Sequence, residues 1–339
     1  MPKRKAQYAI ATLASHTCLQ ILKGAKDEGF KTLAITPAKS VPFYKTFPFI
    51  DEIITVDSYT DFPRIEEQLI SENAIIIPHG SFVAYLGFEE NKNMKTLYFG
   101  NKDVLDWEAD RKRQRQWMIQ ANINVPRQFE KAQDIDAPVI VKSYGAAGGK
   151  NYFFAKNKEE FGQRIKTFKE KEYVIQEYII GVPLFIHYFY SPLTEKLEIM
   201  SIDRRYETNV DSLGRIPSQN QEGLGIEPSF VVVGNSPLVL RESLLPEAYS
   251  MGQRVVDTSQ KIISPKGLFG PFCIETIITH AQEFFVVEIS CRIVAGTNIF
   301  MEGSPYSQLL YNEPMSTGRR IAREIKLAIK QERLGEILD

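Results

Sequence analysis

Hydrophobic positions change their period along the chain, and the changes divide it. Through the first hundred residues, apolar runs alternate with segments of helical spacing. Gln7–Ala14, Thr32–Ile35, Ile53–Val56, Ala74–Pro78 and Thr96–Phe99 read as strands, while Cys18–Gly29 and Phe62–Asn73 read as helices. Such alternation predicts a small parallel sheet with helices on both faces. Ligands bind these sheets where strands end and helices begin. Two of the ends are polar, Ser15-His16-Thr17 and His79-Gly80-Ser81. Ser15, Thr17 or Ser81 either caps the helix that follows or leaves its first amides to an anion.

A charged helix, Asp110–Ala121, ends before Pro126, and its run Arg111-Lys112-Arg113-Gln114-Arg115 reads as a solvated face. From Pro138 onward strand pairs with helices between them replace the alternation. The expected elements are Val139–Lys142 with Tyr152–Ala155, the helix Lys158–Phe168, then strands Tyr173–Glu177, Leu184–Tyr190 and Lys196–Asp203. A helix at Pro246–Ile263, strands Phe272–Thr279 and Glu283–Ile289, and a final helix Ser316–Arg333 complete the chain. The fold class is α/β followed by α+β, without an internal repeat.

Composition narrows the function classes. The 339 residues predict two or three domains, and 43% hydrophobic with 24% charged residues is the make-up of an ordinary globular protein. Lysine and arginine number 41 against 42 acidic residues, so no global field favours nucleic acid or an anionic membrane. Cys18, Cys273 and Cys291 form no disulfide framework, and the four histidines are too scattered for a local zinc motif. No run approaches the roughly 18–20 apolar residues of a membrane helix, and the N-terminus reads as a strand rather than a leader. A cytoplasmic protein is expected.

Candidate chemistry begins at Lys142, which ends the strand Val139–Lys142. The loop after it, Ser143-Tyr144-Gly145-Ala146-Ala147-Gly148-Gly149-Lys150, is built of small residues that can donate backbone amides to a polyphosphate, with Lys142 and Lys150 as point charges. It is neither a Walker A motif nor a GxGxxG fingerprint, and a flexible hairpin loop is the alternative. Two acidic residues, Glu275 and Glu288, interrupt otherwise apolar strands. A symmetric turn centred between Ala281 and Gln282 sets them directly opposite each other, with Cβ atoms about 4.5–5.5 Å apart. Carboxylates that close share either a proton or a cation, and beside phosphate the cation is magnesium. A bulge in the glycine-free turn would undo the pairing. Arg292 is spaced to neutralise a transferring phosphoryl group, and Asn298 is a polar candidate in the next loop. The strand end at Val174–Gly181 suits the edge of an adenine, and the charged segment Ser201–Asn209 is either a ribose or phosphate contact or a surface rim.

A lysine-ended strand, a small-residue flap, the linker Gln176-Glu177-Tyr178 and two strand-borne glutamates, in that order, resemble the ATP-grasp superfamily. Over nearly the whole chain, segments such as Pro78-His79-Gly80-Ser81-Phe82-Val83-Ala84-Tyr85, Arg241-Glu242-Ser243-Leu244-Leu245-Pro246, Ala295-Gly296-Thr297-Asn298 and Gly303-Ser304-Pro305-Tyr306 look like those of one family within it. That family is the archaeal-type formate-dependent 5-formaminoimidazole-4-carboxamide ribonucleotide (FAICAR) synthetases of purine synthesis. The resemblance implies an ATP-grasp fold with an N-terminal Rossmann-like domain. Residues 1–105 would take the ribonucleotide, 106–180 form a lobe with the flap, and 181–339 form a lobe with the magnesium site.

It further implies that ATP phosphorylates formate to formyl phosphate, which the 5-amino group of 5-aminoimidazole-4-carboxamide ribonucleotide (AICAR) attacks, releasing ADP and phosphate. By position, His16, Ser81 and Asn235 match ribonucleotide contacts. Lys142, Gly145, Gly148, Gly149, Lys150, Glu177, Tyr178, Ile179 and Glu207 match the ATP site. Glu275 and Glu288 match ligands of Mg2+, for which Mn2+ can substitute, and Lys142 and Arg292 carry the catalytic charge. A homo-oligomer acting on small molecules, with no nucleic-acid or membrane partner, is the expected form. Ala147 stands where the family usually has a basic residue and Asn151 where it has glycine. These departures leave open a ligase for another acid or amine, or a weakly catalytic nucleotide-binding sensor.

Overall fold

Five short strands at the N-terminus, β1 (Ala9–Leu13), β2 (Lys31–Pro37), β3 (Glu52–Val56), β4 (Ala74–Ile76) and β5 (Leu97–Tyr98), pair in parallel in the order β3-β2-β1-β4-β5. The computed structural model describes residues 7–143, 152–169, 172–221, 229 and 231–339. Every residue of β1 is buried, as a strand covered on both faces must be. The helices Cys18–Asp27 and Phe62–Ser71 are followed by Gly29 at φ 89° and Asn73 at φ 49°, left-handed positions that stop a helix. Because β1 and β4 are neighbours, the two polar strand ends lie side by side.

A second sheet is antiparallel and small: β6 (Gln128–Phe129), β7 (Val139–Ser143), β8 (Tyr152–Ala155) and β9 (Tyr173–Glu177), in the order β6-β9-β7-β8. Val139 opposes Ala155 and Lys142 opposes Tyr152, the hairpin expected from the sequence. Val139, Val141, Phe153 and Ile175 point into a separate core with Phe161, which leaves Lys142, Val174 and Gln176 on the other face. Flap residues 144–151, including Gly145, Ala147, Gly148, Gly149, Lys150 and Asn151, lie outside the described residues.

The third sheet comprises β10 (Val182–Ser191), β11 (Lys196–Glu207), β12 (Val232–Pro237), β13 (Gly270–Ile278) and β14 (Phe284–Ser290), in the order β12-β11-β10-β13-β14. Leu184, Ile186, Ile202, Ile274 and Ile289 bury one face in the main core, with residues of the helix Leu245–Ile262. β11 continues past the expected Asp203 because β12 pairs with its far end, from Asp203 opposite Pro237 to Glu207 opposite Val232. Sequence periodicity does not announce β12: it is an edge strand whose Val232 and Val233 are both exposed.

The hairpin β13–β14 reaches the expected pairing by two irregularities. At the turn Thr276 opposes Val286 and Ile278 opposes Phe284, one position out of the symmetric register, and a bulge then restores Glu275 opposite Glu288. Gln282, at φ 63°, takes the left-handed turn position that usually falls to glycine.

The C-terminal helix Thr317–Gln331 ties the N-terminal sheet to the rest. Gly24 meets the backbone of Gly318 and Arg319, and Gly318 meets that of Gln20, so a Cβ at either would enter backbone atoms. Buried Glu28 locks the crossing through Arg319 at 2.8 Å, Arg323 at 2.5 Å and Lys326 at 3.3 Å. Burial alone would raise its carboxyl, but the three cations bring it down to about 2. Gly318→Ala should cost roughly 1–3 kcal/mol by overpacking, seen as a lower first melting transition by circular dichroism. Among the described residues no helix is long and apolar enough to cross a membrane.

Candidate active site

The face of the third sheet turned away from the main core collects the polar residues. Directly opposed residues of antiparallel strands share a face, and Phe185 opposes both Asp203 and Glu275, Glu275 opposes Glu288, and Arg205 opposes Asn235. With Phe185 of β10 between them, Asp203, Arg205, Asn235, Glu275 and Glu288 therefore line up across the sheet, on four of its five strands. The Arg205 guanidinium lies over the Phe185 ring at 3.4 Å and 3.7 Å from Glu275 Oε2.

Lys142 approaches from the second sheet. Burial lowers its pKa, Glu275 and Glu288 raise it, and Arg111 lowers it again, so these charges share one neighbourhood. Crowding by the surrounding residues raises the Glu288 carboxyl and Glu275 raises it further, against Arg111, Arg205 and Lys142. Glu207 is pushed up to about 7 by burial and by Glu275, against the pull of Arg205. Two partners of this site differ from what the sequence suggests: Arg111 reads there as part of a solvated helix face, and Arg205 as either a ligand contact or a surface rim, whereas both face the paired carboxylates. Their signal was positional, since only the register of β11 and the packing of the helix Arg111–Gln120 aim them here.

Glu275 and Glu288 suit a hard divalent cation. They are oxygen donors in register, and three nearby cationic side chains still leave Glu288 harder to ionise than an ordinary carboxyl. Among the described residues no group of three or more His, Cys, Asp or Glu side chains gathers as a metal site, so two carboxylates here would need phosphate and water oxygens to complete the shell.

The raised Glu207 carboxyl gives a test. Between the ordinary carboxyl range and about pH 7 the folded chain keeps a proton that the unfolded chain has released, so stability falls as pH rises through that window. A cation that neutralises Glu275 relieves this cost. Magnesium should therefore raise the melting temperature of the nucleotide-free protein more at pH 8 than at pH 5, and equal increments would contradict the assignment.

The second cluster lies where β1 and β4 end. His16 adopts φ 46° and its ring stacks on that of His79 at 5.9 Å. His79 is structural: Nε2 donates to the Leu13 carbonyl at 3.0 Å, Nδ1 accepts from the Ser81 amide at 3.2 Å, and burial drives its pKa down to about 3. His16 is solvent-facing, its pKa lowered by crowding and then by Arg292 and Arg205. Thr17 and Ser81 occupy the N-cap positions of their helices, yet neither side chain makes a capping bond. The Cys18 and Phe82 amides are taken by the Ser15 and His79 carbonyls, at 2.8 and 2.9 Å, and no side-chain cap occupies the amides that follow.

The strand end is held firmly. The Ala14 carbonyl accepts from Tyr44 at 2.8 Å and Tyr59 at 2.7 Å, Ser15 bonds Tyr85 at 2.9 Å, and Asn298 Nδ2 donates to the His16 carbonyl at 2.7 Å. Arg292 turns to this edge, donating to the Gly80 carbonyl at 3.1 Å and pairing with Glu108, and burial brings its pKa down to about 10. It does not join the Glu275–Glu288 pair. Asn235 Nδ2 donates to Asp203 at 2.7 Å. Glu177 is ion-paired to Arg127 at 3.0 Å, the Tyr178 amide donates to the Pro138 carbonyl at 2.8 Å, and half-buried Ile179 follows in the link to β10.

A parallel N-terminal sheet, a small antiparallel lobe bearing Lys142 and a larger antiparallel sheet bearing paired carboxylates together define the ATP-grasp fold. The chain aligns with the ADP complex of an N5-carboxyaminoimidazole ribonucleotide synthetase at 12% identity and a TM-score of 0.67, covering 94% of this chain and 76% of that one, a likeness of fold alone. Residues 10–129 match a family profile described as a protein of unknown function (DUF1246), and residues 154–339 one described as a domain of unknown function (DUF1297). A protein of Pyrococcus abyssi named 5-formaminoimidazole-4-carboxamide-1-(beta)-D-ribofuranosyl 5'-monophosphate synthetase is 52% identical over 337 residues, 97% of this chain and 98% of its own. The crystal structure of the IMP biosynthesis protein PurP from Thermococcus kodakaraensis matches at 33% identity and a TM-score of 0.78, covering 97% of this chain and all of that one. The chain belongs to the family of 5-formaminoimidazole-4-carboxamide ribonucleotide synthetases.

Proposed function

We propose that this chain is an ATP- and formate-dependent ligase that formylates the 5-amino group of AICAR to give FAICAR, ADP and phosphate. The observation that carries the reading is the meeting of two clusters. A lysine and paired carboxylates suited to a metal nucleotide lie on one side, the His16–Ser81 edge suited to a phosphorylated ribonucleotide on the other, and Arg205 influences both. Relatives named for this product are about half identical over nearly the full chain.

Residues 1–105 offer the ribonucleotide His16, Ser81 and the helix-start amides, with Asn235 opposite. Lobes 106–180 and 181–339 hold ATP, with the linker Glu177–Ile179 at the base and Glu207 at the ribose. Glu275 and Glu288 hold magnesium, or manganese with the same oxygen preference, which supplies charge neutralisation for the phosphates. Lys142 and Arg111 fix the polyphosphate, with Gly145, Gly148, Gly149 and Lys150 as further phosphate-binding residues. Formate oxygen attacks the γ-phosphorus and ADP leaves, an exchange that needs positioning and electrostatics rather than a covalent enzyme intermediate. The amine nitrogen then attacks the formyl carbon, the bond from carbon to the phosphate oxygen breaks, and the amine proton leaves with the departing phosphate as acceptor. Arg205 faces the transferring group, and Arg292 supports the ribonucleotide edge from behind through Gly80. Closure excludes water, which would otherwise hydrolyse formyl phosphate.

Phosphate release with ATP and magnesium, leaving out formate and AICAR in turn, tests the reading. Full turnover should require both, and release indifferent to formate would overturn it.

A further inference from the structure

Asp203 is fully buried, and the reaction above gives it no task. Its Oδ1 accepts a hydrogen bond from His187 Nε2 at 2.6 Å and its Oδ2 accepts one from Asn235 Nδ2 at 2.7 Å. His187 on β10 and Asn235 on β12 flank it within the sheet, and Gly296 closes the remaining side. A Cβ at Gly296 would collide with the Asp203 carboxylate and the His187 ring, so the carboxylate has one seat.

A carboxylate accepts hydrogen bonds and donates none. Asn235 must therefore turn its NH2 to Asp203, which leaves its carbonyl oxygen as the group offered to the cleft beside Arg205, its cross-strand partner. An unrestrained asparagine can turn either its oxygen or its NH2 to a ligand; this one has its NH2 held against Asp203 and so turns its oxygen outward. We propose that Asp203, seated by His187, is a positioning residue that fixes Asn235 as an acceptor for the carboxamide N–H of the imidazole ribonucleotide. This rests on the reading that Asn235 contacts that ligand. The consequence is discrimination: the 4-carboxylate analogue, which has no N–H there, meets oxygen with oxygen. Sites that read a donor reject an analogue lacking it far more strongly than apolar pockets do.

The test compares binding of AICAR and its 4-carboxylate analogue by calorimetry, with steady-state kinetics alongside. The intact enzyme should prefer the carboxamide by about 100-fold or more. Asp203→Asn lets the Asn235 amide flip. It should raise KM for AICAR about tenfold, leave KM for ATP and kcat nearly unchanged, and cut the preference to about tenfold or less. Combining Asp203→Asn with Asn235→Asp restores the polarity, because the new amide at 203 donates to the new carboxylate at 235, whose outer oxygen accepts. The double variant should recover the preference. If Asp203→Asn does not fold, His187→Asn, which removes the ring donor, should give the same loss in smaller measure.

A folded Asp203→Asn protein with wild-type preference would overturn the proposal, as would a double variant no better than the single or an unchanged preference in His187→Asn. A wild-type protein that binds no AICAR would instead overturn the functional reading, and this inference with it.

Discussion

Glu288→Gln should lower turnover by about a thousandfold, ~4 kcal/mol of transition-state stabilisation, while the protein stays folded and becomes more heat-resistant without magnesium. The two effects oppose each other for one reason. Glu288 stands in register with Glu275, and crowding together with that neighbour raises its carboxyl. Neutralising one member removes repulsion in the nucleotide-free protein, so the melting temperature at pH 8 rises. The same change removes one of two protein ligands from the cation, so the stabilisation that magnesium gives should largely vanish. Melting with and without magnesium, beside a phosphate-release rate, reads both. A variant that keeps its rate places the metal elsewhere, and one that loses both rate and stability makes Glu288 a structural residue.

Arg205→Gln should produce the second large loss, about a hundredfold or more in kcat, comparable with removing one preorganised charge from a phosphoryl-transfer site. Its guanidinium lies 3.4 Å from the centre of the Phe185 ring and 3.7 Å from Glu275, and it depresses the pKa of His16. A residue tied to both clusters should affect formate activation more than the binding of either large substrate. KM for ATP and for AICAR should therefore move by no more than a few-fold. A loss confined to one KM would make Arg205 an ordinary binding contact. The stacking on Phe185 fixes the guanidinium plane, so Arg205→Lys should recover little of the rate.

Much of this site was legible in the sequence because strands obey a strict period. Two glutamates inside apolar strands, separated by a short connection, announced their own pairing, and the lysine-ended strand announced its hairpin. The route to the pairing was not legible: the turn runs out of the symmetric register and a bulge corrects it. Sequence cannot weigh such a bulge, because its cost is set by packing against β10. What helices contribute was harder to read. Arg111 belongs to a run of cations that any solvated face would carry, and its nearness to Lys142 and Glu288 comes from the docking of a whole lobe. Arg292 shows the converse. Spacing put it near Glu288, but strand direction carries it on to Glu108 and Gly80. The choice between caps and ligand at Thr17 and Ser81 was also beyond sequence, since both uses need the same residue types at the same positions. Buried Asp203 gave no signal, being one polar residue in a charged segment.

The fate of formate's oxygens tests the central claim most directly. With [18O2]formate, AICAR, ATP and magnesium, activation through formyl phosphate leaves one labelled oxygen in the formyl group and transfers the other to inorganic phosphate. Mass spectrometry should therefore find one 18O per phosphate released. Unlabelled phosphate accompanying formylated product would contradict the proposed mechanism.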